Sequence, residues 1–187
     1  ELINLNKIKV LDIGSGRGDF AFWLAQEGYV VDCFEFSEDS IDQFKARKEK
    51  NKELPITLHP FDFFKDTTSR QVDLITCFEV LEHIEHDNEA VLKLFNWLKP
   101  HGYIIGSVPA HMSKWGVDDV TYGHVRRYEK KELQNLFEKN GFVVHTLHSY
   151  GFPWMNILKK IREIHTRILP PRIHKNRDGD SIAGTKY

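Results

Sequence analysis

The sequence predicts an α/β fold, namely a doubly wound, mostly parallel sheet with helices on both faces. Two observations lead to this prediction. Short apolar segments alternate with segments of helical spacing, and the first apolar segment runs directly into a glycine-rich turn. Because parallel strands are joined by helical crossovers, this alternation is typical of a sheet that is covered on both faces. The 187 residues suffice for one domain, which we expect at 1–169, followed by a polar tail at 170–187.

Six apolar segments are predicted to be strands. Each is short, rich in β-branched and aromatic residues, and bounded by glycine or polar residues. They are residues 8–13, 29–36, 56–60, 72–78, 103–108 and 142–148. Cys33 and Cys77 lie inside two of these segments, so we expect two reduced core thiols and no disulfide.

Four segments have the spacing of amphipathic helices. In the first of them, Phe20, Trp23 and Leu24 are expected to form the buried face, and Ser37 is expected to cap the second. The predicted helices are residues 19–27, 38–51, 88–98 and 129–140. The connection 109–128 has no regular pattern and is long enough to carry function.

The composition indicates a soluble protein with no general attraction to polyanions. Hydrophobic residues make up 41% and charged residues 28%, and the formal net charge is −1. A nucleic-acid partner is therefore disfavoured. We find no apolar run that would cross a bilayer and no signal-peptide pattern, so we expect a cytoplasmic protein. Because the first strand begins almost at once after Glu1, we also expect the native protein to extend further at its N-terminus.

The strongest functional signal is the segment V-L-D-I-G-S-G-R-G-D at residues 10–19. Glycines at alternate positions between a strand and a helix let the backbone turn tightly and approach a ligand closely. The dinucleotide fingerprint requires G-x-G-x-x-G, whereas the spacing here is G-x-G-x-G, and no Gly-Lys-Ser/Thr of a P-loop follows. Asp12 and Asp19 would also repel a phosphate. A ligand that carries positive sulfonium and ammonium groups fits this field better.

Two further strand ends carry carboxylates. Glu35 ends the second strand, about twenty residues beyond the loop, where a carboxylate can accept hydrogen bonds from both ribose hydroxyls. The alternative is a solvated strand end. Asp62 follows the third strand and could bind the amino group of an adenine, with Phe63 packed on the ring. Asp62 could equally cap a turn.

With this loop and these strand ends, the chain resembles the class I S-adenosylmethionine (SAM)-dependent methyltransferases, which have a Rossmann-like fold. The segments VLDIGSGRGDF, FEFS, FDFF, DLITCFEVLEHI and LKPHGYIIGSVP are similar to the ordered motifs of that family, and the resemblance covers about residues 8–142. It implies that SAM lies extended across the carboxyl ends of the strands and leaves S-adenosylhomocysteine as the product. It also implies a set of cofactor-binding residues, namely Asp12, Gly14, Ser15, Gly16 and Gly18 in the loop, Glu35, Phe36, Asp62 and Phe63 for ribose and adenine, and Phe78, Glu79 and Val80 near the sulfonium.

Two histidines are candidates for a general base. His83 follows the fourth strand in EVLEHI, and His124 lies in YGHVRRY within the long connection, where this fold usually builds its acceptor site. We predict that Tyr122, Arg126 and Tyr128 of the same string contact the acceptor. The alternatives are a packing role for His83, solvated or ion-paired arginines, and a tyrosine that packs against the next helix.

The remaining histidines do not form a metal cluster in the sequence. His83 and His86 lie among Glu82, Glu85 and Asp87, but this group is better interpreted as an acidic turn before a helix N-terminus, and no metal is predicted. The segment 154–169 is amphipathic and basic. It is predicted to cover the core or form a lid, the alternative being a helix that lies on a membrane.

The sequence thus predicts an enzyme that transfers a methyl group from SAM to a small molecule, a saccharide or a lipid-linked glycan, with oxygen as the expected methylated atom. Two alternatives belong to other classes of protein. One is a non-catalytic SAM-binding subunit or sensor, and the other is an NAD-dependent oxidoreductase, which the glycine spacing disfavours. A nucleic-acid methyltransferase is a third, disfavoured because the fourth strand ends C-F-E-V. The oligomeric state is not predicted.

Overall fold

The described part of the chain is built on a five-stranded parallel sheet, and the predicted α/β class is confirmed. The computed structural model describes residues 8–150. The strand order across the sheet is β3-β2-β1-β4-β5, and every neighbouring pair is parallel. The strands are β1 (Lys9–Ile13), β2 (Val30–Phe34), β3 (Ile56–His59), β4 (Val72–Phe78) and β5 (Leu98–Ser107).

Helices cover both faces of the sheet because its inner strands are apolar on both sides. On β1, Val10 packs in a cluster with residues of the first two helices, whereas the next residue, Leu11, packs with residues of the third and last helices. Successive side chains of a strand point to opposite faces, so these clusters are the two halves of the core. The helices are α1 (Asp19–Gln26), α2 (Glu38–Glu49), α3 (Asp87–Trp97), α4 (Val117–Thr121) and α5 (Lys130–Lys139).

The buried face of α1 differs from the prediction. The helix buries Ala21, Phe22, Leu24 and Ala25 against the sheet, whereas Phe20 and Trp23 are exposed and stack on each other at 5.5 Å. The reason is that the helix begins directly after the glycine loop, which fixes the angle at which its faces meet the sheet. The exposed pair lies beside the end of β4, since the ring of Phe20 also meets that of Phe78 edge-on at 5.4 Å.

The predicted sixth strand is wrong. Residues 142–150 form no strand, and Val143 is 75% exposed. A strand needs a hydrogen-bonded partner, and this segment instead forms one wall of a cleft of about 1110 Å³ beside β5. Within residues 8–150, β5 is therefore an edge of the sheet.

The strand order places the functional residues. Chain order reverses between β1 and β4, because β1 leads outward to β2 and β3 whereas β4 leads to β5. In open parallel sheets, ligands bind outside the carboxyl ends of the strands at such a reversal point. The glycine loop follows β1 and the segment E-V-L-E-H follows β4, so both lie at this point.

Two predictions fall outside the described residues, namely the amphipathic segment 154–169 and the polar tail 170–187. Between residues 8 and 150, no helix combines the length and apolar character that crossing a bilayer requires. Cys33 and Cys77 are both buried and free.

Candidate active site

The glycine loop is a tight turn that is tied to the neighbouring strand. The backbone amides of Gly14 and Ser15 both donate to the carbonyl oxygen of Phe34, at 2.9 and 3.1 Å. Gly14 has a φ of 66°, and a Cβ there would lie 2.5 Å from Cγ2 of Val80. Only glycine fits a left-handed backbone pressed against a side chain in this way. The loop is therefore held between β2 and the segment after β4.

Gly16 forms the open part of this loop. Its φ of 56° is also left-handed, but a Cβ on it would meet no protein atom within 4 Å. The backbone there faces empty space, which is what a bound ligand needs in order to approach it closely. The hydroxyl of Ser15 is buried and has no hydrogen-bond partner among the described residues. A buried polar group without a partner is rare in folded proteins.

The carboxylate of Glu35 lies at the rim of this space. Its Oε2 accepts from the amide of Gly16 at 2.7 Å, and its Oε1 accepts from the amides of Phe36 and Ser37 at 2.9 and 2.8 Å. These three bonds fix the carboxylate beside the loop. They use one lone pair of Oε2 and two lone pairs of Oε1. The alternative of a freely solvated strand end does not describe this residue, which is only 8% exposed.

Asp12 and Asp19 have different surroundings. Asp12 is buried near the end of β1 and accepts from the hydroxyl of Thr76 at 2.6 Å; burial, with the charge of Glu35, raises its pKa to about 6. Asp19 is exposed, and Arg17 and Arg47 each bind it at 2.8 Å, which lowers its pKa. Because these arginines offset its charge, the acidic field at the loop comes from Asp12 and Glu35.

The residues predicted to hold the adenine separate into two groups. Phe36 is exposed next to Glu35 and presents its ring to solvent. Asp62 caps a short turn, since its Oδ1 accepts from the amide of Phe64 at 2.9 Å. Phe63 lies in the core, where it packs against Trp97, so it does not offer a ring to a ligand in the cleft. We therefore leave Phe63 out of the proposed cofactor site.

The end of β4 brings strained backbone next to the glycine loop. Glu79 has a φ of 55°, which is unfavourable for a residue with a side chain. Its amide donates to the carbonyl of Ser107 at 2.9 Å, and the Ser107 hydroxyl donates to its carboxylate at 2.6 Å. Phe78 is partly exposed, and Val80 packs on Gly14. These three predicted cofactor residues thus border the loop.

The connection between β5 and α5 folds back over the turn that follows β4. The amide of Val125 donates to the carbonyl of Glu82 at 2.8 Å, and Nδ1 of His83 lies 3.3 Å from the carbonyl oxygen of Gly123. The rings of His83 and His124 meet edge-on at 4.8 Å, and the exposed ring of Tyr122 lies 6.2 Å from that of His124. His83 and His124 therefore belong to one cluster. They come from distant parts of the chain, since 40 positions separate His83 from Gly123, the residue before His124.

Asp119 fixes His124 in place. Its Oδ1 lies 2.9 Å from Nδ1 of His124 and accepts from Nε of Arg127 at 2.7 Å, while its Oδ2 accepts from the amide of Gly116 at 2.7 Å. Burial opposes ionisation of Asp119, but these hydrogen bonds outweigh it and lower the pKa. The charged carboxylate favours a proton on Nδ1 of His124, which leaves Nε2 as an acceptor.

Glu82 is the most unusual side chain in the cluster. It is completely buried, and neither carboxylate oxygen has a hydrogen-bond partner among residues 8–150. Its Oε1 lies 4.0 Å from Nε2 of both His83 and His124. Burial, together with the charges of Glu79 and Asp119, raises the pKa of Glu82 to about 8. Burial and the neighbouring His124 lower the pKa of His83, so its ring is neutral at pH 7.

Arg126 and Tyr128 are not placed as predicted. Arg126 binds the carboxylate of Asp87 and the carbonyl of Glu85, both at 2.7 Å. Tyr128 is 2% exposed, and its hydroxyl donates to Asp87 at 2.9 Å and lies 3.2 Å from the carbonyl oxygen of Leu81. Both side chains fasten the connection to the start of α3, so we leave them out of the acceptor site. These contacts match the alternative of an ion-paired arginine and a packed tyrosine.

Glu82→Gln is expected to stabilise the protein at alkaline pH. The measurement is made with a chelator, so that no bound metal ion offsets the charge of the wild-type carboxylate. Glutamine has the shape of protonated glutamic acid but does not ionise. Because the folded pKa of about 8 lies above the ordinary value of 4.5, the wild-type protein loses stability as the pH rises from 4.5 to 8. We expect the variant's free energy of unfolding, measured with urea, to exceed that of the wild type by roughly 4 kcal/mol at pH 8 and by under about 1 kcal/mol at pH 5.

Glu53→Gln, at an exposed position, controls for the loss of one negative charge. It is expected to change the free energy of unfolding by less than about 0.5 kcal/mol at both pH values. A gain for Glu82→Gln that does not depend on pH, or no gain at all, would show that Glu82 is not a destabilised buried carboxylate.

Two of these residues, Glu82 and Asp119, carry no direct signal of burial in the sequence. Glu82 falls in the acidic turn before a helix N-terminus, and nothing in the connection distinguishes Asp119 from its neighbours. Charged residues are usually exposed, so composition alone does not predict that the connection buries them. The available signal for Glu82 was its place between Leu81 and His83, directly after a buried strand.

Comparison with known proteins identifies relatives at the level of sequence. A family model described as a methyltransferase domain matches residues 2–147. A ubiquinone biosynthesis O-methyltransferase of Rickettsia canadensis is 23% identical over 158 residues, which cover 77% of this chain and 66% of the relative. One of Rickettsia typhi is 28% identical over 102 residues, covering 54% and 41%. The chain therefore spans at most 66% of the length of these two relatives.

Solved structures share the fold. Phosphoethanolamine N-methyltransferase 2 of Haemonchus contortus, in complex with S-adenosyl-L-methionine, has a TM-score of 0.71 at 19% identity, covering 86% of this chain and 39% of that chain. The YcgJ protein of Bacillus subtilis has a TM-score of 0.68 at 17% identity, covering 94% and 80%. These likenesses confirm the predicted Rossmann-like α/β fold.

Proposed function

Because the chain belongs to the family of methyltransferase domains, we propose that it transfers the methyl group of SAM to a small-molecule acceptor, at oxygen. The observation that carries the proposal is the open backbone at Gly16, which faces empty space beside the fixed carboxylate of Glu35. S-adenosylhomocysteine would be the second product.

The residues at the switch point fit SAM. We propose that the loop from Asp12 to Gly18 holds the methionine end, that Glu35 accepts from the ribose hydroxyls, and that the exposed ring of Phe36 packs on the adenine. The buried hydroxyl of Ser15 lacks a partner in the described part of the chain and would gain one. The carboxylates of Asp12 and Glu35 favour a cationic ligand over a pyrophosphate, because a buried phosphate beside them would need a cation to offset it.

The chemistry that SAM supplies is a methyl carbon already activated by its sulfonium. What remains for the protein is to align the acceptor with that carbon and to exclude water. The connection that carries Tyr122 and His124 lies over the turn after β4 and forms one wall of this site. We propose that Nε2 of His124, the ring nitrogen that does not contact Asp119, accepts the proton of the acceptor hydroxyl as the oxygen bonds to carbon.

The acceptor is proposed at the level of its class. Relatives named ubiquinone biosynthesis O-methyltransferase favour oxygen as the methylated atom and a small organic acceptor. A saccharide or a lipid-linked glycan remains an alternative, since the exposed aromatic ring of Tyr122 suits a polar ring as well. We also propose a cytoplasmic location, which two free and buried cysteines support.

A non-catalytic SAM-binding subunit is the main alternative from another class of protein. Such a protein needs the glycine loop and Glu35 but has no use for a histidine that a buried carboxylate orients. The Asp119–His124 pair therefore favours an enzyme. An assay with methyl-labelled SAM and a panel of phenols, catechols, hydroxy acids and sugars tests the proposal, and transfer of label to any of them at the chain's own pH optimum supports it.

His124→Ala is expected to lower the turnover number in this assay about a hundredfold, because a positioned base contributes at least that much. SAM affinity should stay within about threefold, and the loss should shrink at high pH, where hydroxide removes the acceptor's proton. His86→Ala, at an exposed histidine three residues beyond His83, serves as the control and should leave turnover unchanged. Equal losses for both variants, or a loss in SAM affinity alone, would contradict the role of His124.

A further inference from the structure

We propose that Glu82, His83 and His124 bind a divalent transition-metal cation such as Zn²⁺ or Mn²⁺. No metal is predicted from the sequence, where His83 and His86 lie among the acidic residues of a turn before a helix N-terminus. The fold adds His124 from the distant connection and so completes a set of two imidazoles and one carboxylate. The proposal goes beyond methyl transfer, and it competes with the general-base role proposed for His124, because both roles use Nε2 of that ring.

The three ligand atoms converge. One ligand atom from each residue lies within 4.8 Å of those from the other two, and Nε2 of each histidine lies 4.0 Å from Oε1 of Glu82. Ligand atoms bound to one zinc ion at about 2.0–2.2 Å are themselves roughly 3.0–3.5 Å apart. Shifts of less than about 1 Å per side chain would therefore bring all three to an ion.

Glu82 is the residue that most needs such a partner. It is completely buried, and both oxygens lack a hydrogen bond within the described part of the chain. A buried carboxylate with no partner is strongly unfavourable, whereas one that coordinates a metal is among the usual exceptions. One of the orphaned oxygens, Oε1, lies 4.0 Å from both Nε2 atoms, so the unsatisfied group points at the centre of the proposed site.

The histidines are already oriented to ligate through Nε2. Asp119, itself completely buried, lies 2.9 Å from Nδ1 of His124, and the carbonyl of Gly123 lies 3.3 Å from Nδ1 of His83. Metal-binding histidines nearly always donate their other ring N–H to a carboxylate or a backbone carbonyl. Both partners are present here. A further hydrogen bond from Arg127 holds Asp119.

The donor set selects the class of cation. Two imidazole nitrogens and one carboxylate oxygen suit Zn²⁺, Mn²⁺ or Fe²⁺, whereas Mg²⁺ and Ca²⁺ prefer oxygen ligands. Three protein ligands leave positions open for water or for an oxygen of the acceptor. While an ion is bound, Nε2 of His124 cannot also accept a proton, so ligation and the general-base role are alternatives that metal titration distinguishes.

Calorimetric titration of the chelator-treated chain with ZnCl₂ and MnCl₂, without SAM or acceptor, tests the proposal. We expect one equivalent to bind, and His124→Ala and Glu82→Gln each to weaken binding at least about a hundredfold, since even a residue behind a ligand contributes 10–100-fold. Asp119→Asn should weaken it about tenfold or more. Co²⁺ bound to the wild type should show visible absorption of an N- and O-ligated ion, which His124→Ala removes.

His86→Ala and Glu85→Gln are matched controls, because both residues are exposed and close to the site in sequence. They should bind the ion as the wild type does. If Glu82→Gln or His124→Ala fails to fold, His83→Ala replaces it, since that side chain is 37% exposed. A wild type that binds neither ion, or controls that lose binding as much as the ligand variants, would overturn the proposal. Because no methyl transfer is measured, its failure would leave the proposed function untouched.

Discussion

Gly16→Val is expected to abolish SAM binding while the protein stays folded. A Cβ at this position meets no protein atom within 4 Å, so the new side chain would extend into the space that the cofactor needs. The left-handed backbone, with a φ of 56°, adds a strain of about 1–2 kcal/mol. We expect SAM affinity, measured by titration calorimetry, to fall more than about a hundredfold, because a steric block removes the whole complex and not a single contact.

Gly123→Val is the matched control for backbone strain. Gly123 also has a left-handed φ, 74°, and open space around its Cβ position, but it lies in the connection after β5. Both variants should lose a similar free energy of unfolding, and only Gly16→Val should lose SAM. A folded Gly16→Val protein with normal SAM affinity would show that the cofactor does not lie against this loop.

Glu35→Ala is expected to weaken SAM binding about a hundredfold. The carboxylate is fixed by three backbone amides at the rim of the open space, so it is ready to accept from the ribose without further ordering. Removal of the charge-assisted hydrogen bond that its remaining lone pair can accept costs about 1.5–3 kcal/mol, and the upper end of that range is roughly this factor in affinity. The amide of Gly16 also loses its acceptor, so a moderate loss in the free energy of unfolding should accompany the effect.

Asp19→Ala is the control for Glu35→Ala, since it removes another carboxylate beside the same loop. Asp19 is exposed and already paired with Arg17 and Arg47, so its loss should change SAM affinity by less than about threefold. Calorimetry that finds less than a threefold change for Glu35→Ala as well would exclude Glu35 as the ribose ligand.

The sheet was predictable because its signals are local. Buried parallel strands are short apolar runs, and the glycines after β1 mark a turn that few other residues can form. The prediction of a sixth strand failed because strand pairing does not depend on local sequence alone. Residues 142–148 have the composition of a strand, but a strand forms only where another offers hydrogen bonds, and the sequence does not show which edges are accessible.

The site residues were predictable only where a functional residue directly follows a strand that the sequence predicts. Gly16 and Glu35 follow strand ends directly, so their places could be inferred from the order of the elements. Phe63 and Tyr128 are predicted to contact ligands, because an aromatic ring suits a cleft as well as a core. In the structure Phe63 packs against Trp97 and Tyr128 binds Asp87 at the start of α3, so both rings belong to the core. Burial of Glu82 depends on how the distant connection closes, which no local pattern records.

The central claim is that the loop between β1 and α1 binds SAM. The most direct measurement is the shift in melting temperature of the chain with S-adenosylhomocysteine, compared with NAD⁺ at the same concentration. A ligand that binds only the folded state stabilises it by about 2.7 kcal/mol at a hundred times its Kd, which is several degrees for a domain of this size. We predict a rise of that size with S-adenosylhomocysteine and none with NAD⁺. Stabilisation by NAD⁺ alone, or by neither compound, would contradict the account.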